Sequence, residues 1–155
     1  MKPWTFTLKK SPRAISEKLQ SELGSIGGFV FNANTEKNDS VTFKIRKRML
    51  YVWYMAFQNW TVVKGELLKN DDENVTNVAI TFRQHFFIKL IVSIHIILVL
   101  GFLIAIISGI NTNVNMYLLG GTLLALCIVL WIALQRKFKK DTQKYVALIT
   151  KIFET

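Results

Sequence analysis

Two apolar runs decide what this chain can fold into. Leu90–Ile110 (LIVSIHIILVLGFLIAIISGI) and Met116–Leu134 (MYLLGGTLLALCIVLWIAL) contain no Asp, Glu, Lys or Arg. A helix of about 20 residues rises roughly 30 Å, the thickness of the hydrocarbon core of a bilayer. A chain of 155 residues has room for one small domain beside such a pair. Two buried core helices of that length would be out of proportion to it. The runs therefore predict a transmembrane helical hairpin over residues 89–135, after a domain at 1–88 and before a terminal helix at 136–155.

Flanking charge sets the expected orientation. Arg83 and Lys89 precede the first run, Arg136, Lys137, Lys139 and Lys140 follow the second, and the link NTNVN carries no charge. By the positive-inside bias both termini are expected in the cytoplasm. The opening MKPWTFTLKKSPR lacks the apolar stretch of a cleavable signal. The first membrane helix is thus expected to be its own insertion signal.

The region before the hairpin reads as α+β, a small antiparallel sheet with an N-terminal helix. Ser11 can cap a helix that Pro12 begins and Gly24 or Gly27-Gly28 ends, with Ile15, Leu19, Leu23 and Ile26 on one stripe. FVFNA is a short strand. Val41, Phe43 and Ile45 alternate with Thr42, Lys44 and Arg46, the period of a half-buried strand. Tyr51–Gln58 and Trp60–Lys69 read as further strands. In Val75–Phe87 one face holds Val78, Ile80, Phe82 and Phe86, and the other Ala79, Thr81, Arg83 and His85. After the second run, Tyr145, Leu148, Ile149 and Ile152 have the spacing of an amphipathic helix, which either returns to the sheet or lies along the membrane.

Little here points to catalysis. The carboxylates fall mostly in turns or on a helix surface, and no phosphate loop, nucleophile elbow or dinucleotide glycine pattern occurs. Asp71-Asp72-Glu73 suits a hairpin tip. Cys127 has no second cysteine to pair with. The sequons at Asn38, Asn59 and Asn74 are read as coincidental in a cytoplasmic domain. The net charge of +10 lies partly at the membrane flanks, where anionic headgroups are the natural partner, so no nucleic-acid binding is expected.

The polar candidates lie at the membrane. Arg83, His85 and Lys89, with Arg136, Lys137, Lys139 and Lys140, form an expected headgroup-level collar. His95 is an intramembrane ionisable group and so a functional candidate. It lies only ~8 Å inside the boundary at ~1.5 Å per residue, near the depth of Cys127, and is read as a polar contact rather than a cofactor ligand. Ala105 and Gly109, and Gly121 and Ala125, have the small-x-x-x-small spacing of close helix packing.

The segment from Gly65 to Lys89 runs from GEL through an acidic turn to Phe82, Arg83, His85, Phe87 and Lys89. With the hairpin behind it, this segment resembles small bacterial membrane proteins that pair an α+β cytoplasmic region with a transmembrane hairpin. The resemblance implies the bacterial inner membrane and no assigned activity. A non-catalytic accessory subunit among other integral membrane subunits, without cofactor, is the expected function. The alternative is a tethered domain binding lipid or a small apolar ligand in a pocket of Tyr51, Trp53, Phe57 and Trp60.

Overall fold

Ser11 starts the first helix as the sequence requires. In the computed structural model, which describes residues 3–35, 40–48, 60–70, 75–109 and 114–154, Ser11 is extended (φ −68°, ψ 151°) and its Oγ accepts from the Ala14 amide at 3.3 Å. Pro12 opens α1 (Pro12–Ile26), and Gly27 at φ +71° ends it in a conformation that favours glycine. Ile15, Leu19 and Leu23 are buried, whereas Ile26 is 51% exposed and lies off the stripe.

Around α1 the chain forms one sheet from β1 (Trp4–Leu8), β2 (Phe29–Thr35), β3 (Val41–Lys47), β4 (Thr61–Lys69) and β5 (Thr76–Gln84). The spatial order is β1-β5-β4-β3-β2, with each neighbouring pair antiparallel. β1 and β2 are thus opposite edges, and α1 carries the chain between them, packing over β2, β3 and β4. The covered face holds Val41, Phe43, Ile45, Val63, Leu67, Val78, Ile80 and Phe82, all buried. Burying this set supplies the main drive for the sheet to form. β1 is an addition to the strands expected from the sequence. Its Trp4, Phe6 and Leu8 lie on the covered side, half-buried, and alternate with exposed Thr5 and Thr7. The Thr76 hydroxyl donates to the Lys10 carbonyl at 2.5 Å, tying the segment after β1 to the start of β5.

The strand into the hairpin is shorter than its sequence alternation implies. β5 ends at Gln84, and His85 is the extended N-cap (φ −61°, ψ 146°) of α2 (Phe86–Ile107). Phe86 therefore leaves the strand's apolar face and is 68% exposed. The second apolar run and the terminal amphipathic segment are one helix, α3 (Val114–Glu154, 41 residues), not two. The intervening QRKFKKDTQK has no Gly or Pro and consists largely of good helix formers, so nothing interrupts the backbone ladder.

Contacts divide the chain into two units, Met1–Gln84 with Asp141–Thr155, and His85–Lys140. In the first, the end of α3 packs on the sheet. Tyr145, Ile149 and Ile152 are buried, Tyr145 meets Phe29 edge-on at 6.0 Å, and Phe153 meets Phe6 at 5.7 Å. Of the two alternatives for the terminal segment, this is the return to the sheet. In the second unit both helices are long and apolar enough to cross a membrane, by length and composition. Only 11% and 6% of their apolar windows are buried, the reverse of core helices in a water-soluble domain.

Candidate functional site

Within the helical unit, a contact at Gly120 shows which residues share a level. A Cβ placed on Gly120 would lie 3.0 Å from Ile106 Cδ1 and 3.3 Å from Phe102 Cδ1. The short link makes the helices antiparallel, so counting at ~1.5 Å per residue sets Lys89 near the level of residue 135. Lys89 and the Arg136–Lys140 run thus occupy one end of the hairpin. Lys89, Arg136, Lys139 and Lys140 are exposed, and Lys137 is half-buried.

The contact at Gly120 and Ile106 lies one residue from two of the expected packing positions, Gly121 and Ala105. A Cβ placed on Gly121 would meet nothing within 4 Å, Ala125 is exposed, and Ala105 is half-buried. Gly109 lies beyond the end of α2 at φ +68°, where it helps close the helix by donating to the Ile106 carbonyl at 3.1 Å. The approach is made at Gly120 because its missing side chain admits Ile106 and Phe102. The spacing rule marks Gly121, which has Ala125 four residues on, and passes over Gly120, which has Leu124 there.

His95 is exposed, and its Nδ1 lies 2.7 Å from the Ile91 carbonyl one turn earlier. Since a carbonyl only accepts, Nδ1 carries the proton of this bond. Cys127 is half-buried with a free thiol, and among the described residues no hydrogen bond joins it to His95. His85 is not beside Arg83 on a strand face. Its Nδ1 accepts from the Phe87 amide at 3.3 Å, and its ring stacks on Phe87 at 5.4 Å.

In the sheet unit the uncovered face carries a cleft of about 610 Å³ lined in part by Asn32, Asn34, Lys44, Lys64, Glu66 and Arg83. Lys44 and Arg83 are legible from alternation. Lys64 is not, because only the strand register brings it directly opposite Lys44. The expected aromatic pocket falls outside the described residues except for Trp60, as does the acidic turn at Asp71–Glu73.

Where α3 meets the sheet, Asp141 and Thr142 are buried with Tyr145. The Thr142 and Tyr145 hydroxyls have no hydrogen-bond partner among the described residues. Burial pushes the Tyr145 phenol up to about 12, and the Asp141 charge adds to this. The Lys47 backbone pulls the other way, near enough to favour the phenolate slightly without hydrogen-bond geometry. Among the described residues no group of three or more His, Cys, Asp and Glu is placed to hold a metal ion.

No family model, curated protein or solved structure matches the chain.

Proposed function

We propose that the chain is a two-span protein of the bacterial inner membrane, with both termini and the sheet in the cytoplasm, serving as a non-catalytic accessory subunit of a larger membrane assembly. The observation that carries this reading is the outward apolar surface of α2 and α3. Leu98, Leu100, Ile104, Leu118, Leu126 and Val129 are all more than half exposed. Such a surface in water would be a severe liability, and a bilayer or neighbouring membrane helices remove it. The one-ended placement of Lys89 and Arg136–Lys140 supports the cytoplasmic orientation. The bacterial assignment rests on the resemblance carried by Phe82, Arg83, His85, Phe87 and Lys89.

The test is purification of the native protein in mild detergent with mass spectrometry of what accompanies it. Stable stoichiometric integral membrane partners are expected. A monomer carrying no protein partner would remove the accessory-subunit reading, and release from membranes by alkaline carbonate would remove the spanning reading as well.

A further inference from the structure

The uncovered face of the sheet carries its charge in an order set by register. Nearest the end where β5 runs on towards α2, Val30, Arg46, Val62 and Arg83 stand in a row across four strands. The next row is Asn32, Lys44, Lys64 and Thr81, and the third is Asn34, Thr42, Glu66 and Ala79. With strands ~4.8 Å apart and rows ~7 Å apart, the four cations fall within roughly 12 Å of one another.

Among the described residues no ion pair balances them, and one carboxylate, Glu66, stands in the adjoining row. Lys44, Arg46, Lys64 and Arg83 are exposed. Lys44 and Lys64 are directly paired, and like charges in that position work against the sheet. Glu66 is the face's carboxylate in these rows, and it stands in the row farthest from the α2 end. An anion in the cleft would relieve the repulsion, and the Asn32 and Asn34 amides add uncharged donors suited to phosphate oxygens. A volume of about 610 Å³ admits a group the size of a glycerophosphate.

We infer that this face binds the phosphate-bearing headgroup of an acidic membrane lipid, with Lys44 and Lys64 as the central contacts and Arg46 and Arg83 at its rim. The inference rests on the membrane-spanning reading. Chain continuity selects a lipid as the source of phosphate. Arg83 is three residues before Phe86, so at ~3.3 Å per residue it lies within roughly 10 Å of the first residue of the span. Positive charge is concentrated in the rows at that end and gives way to Glu66 away from it. An acidic protein partner would have no need of that gradient.

The experiment is native mass spectrometry of the full chain in detergent, titrated with phosphatidylglycerol and with phosphatidylcholine of the same acyl chains. Wild type is expected to retain phosphatidylglycerol several-fold better. The double substitution Lys44→Gln/Lys64→Gln should weaken that affinity about tenfold, at roughly 1 kcal/mol per basic group less screening. Lys9→Gln/Lys10→Gln, which removes two exposed charges just after β1, should keep most of it. The lysine variant removes a repulsion, so its melting temperature should match or exceed that of wild type. Equal binding of the two lipids, or full retention by the lysine variant, overturns the inference. So does displacement of the lipid by submillimolar inorganic phosphate, or binding of a polyglutamate peptide in its place. Carbonate extraction separates the two failures: a protein that resists extraction but shows no lipid preference loses this inference alone.

Discussion

The Phe43 ring occupies the space in which a side chain at Gly65 would stand. The two residues are directly paired across β3 and β4, and a Cβ at position 65 would overlap the ring carbons. Phe43 is 3% exposed on the covered face, so its ring has little room to move aside. Gly65→Ala is expected to destabilise the sheet unit by about 1–3 kcal/mol, the usual cost of overpacking. Thermal unfolding in detergent followed by circular dichroism reads this out. The double variant Phe43→Leu/Gly65→Ala should recover part of the loss. A melting temperature for Gly65→Ala equal to wild type would show that the ring is free to leave.

Thr76 is fully buried, and its hydroxyl reaches the Lys10 carbonyl. Thr76→Val keeps the shape and removes the donor, leaving a carbonyl to find another. A loss of about 1–2 kcal/mol follows. Amide exchange should accelerate in β1, which pairs with β5 at Leu8↔Thr76. Exchange unchanged in β1 would separate the bond from the strand's stability.

Tyr145 links stability to alkaline pH. Its folded-state value is raised to about 12 from the ordinary 10.0, so its contribution is complete below pH 10 and is lost as pH rises to about 12. Over that window the loss amounts to about 2–3 kcal/mol. Lysines titrate in the same range, so the informative quantity is the difference between wild type and Tyr145→Phe. The variant should gain on wild type between pH 10 and 12. A pH-independent difference would show that the phenol is not held neutral by the fold.

Period-two alternation makes β3 and most of β5 legible, because each pairs one solvent face with one covered face, whereas β4 opens on three buried residues in a row, Thr61–Val63. β1 has the same alternation in Trp4, Phe6 and Leu8, yet five residues at an edge are a weak signal until β5 is there to pair with them. The ends of α2 and α3 are harder for another reason. Apolar alternation at Phe86 cannot reveal that His85 takes the capping conformation. Lys137–Lys140 look like the boundary of a membrane helix but are equally good interior helix residues. The Lys44–Lys64 pairing depends on register, which no single strand specifies.

His95 satisfies one ring nitrogen within its own helix, so its polar demand is reduced without help from α3. His95→Leu is expected to leave carbonate resistance intact and shift stability in detergent by less than about 1 kcal/mol. Co-purifying membrane partners should also be kept. Their specific loss in His95→Leu, with the melting temperature preserved, would place the exposed Nε2 side at a subunit contact instead.

Gly120 and Gly121 are adjacent in sequence and differ in what they face, which gives a paired test of the hairpin. At Gly120 a methyl group would sit 3.0 Å from Ile106 Cδ1 and 3.3 Å from Phe102 Cδ1, tighter than ordinary van der Waals contact. Ile106 can yield by a rotamer change at its terminal carbon, whereas the Phe102 ring is stiffer. Gly120→Ala should therefore be mildly unfavourable for packing, by about 1 kcal/mol or less, while Gly120→Leu forces the helices apart at a cost of about 1–3 kcal/mol. Gly121 has open space around it, and alanine there gains helix propensity with no steric cost. Gly121→Ala is accordingly expected to be neutral or stabilising. Cysteines at positions 106 and 120, cross-linked in the membrane with reagents of increasing length, would report the geometry directly. A shorter optimal reach at 105 and 121 than at 106 and 120 would return the contact to the residues marked by the small-x-x-x-small spacing.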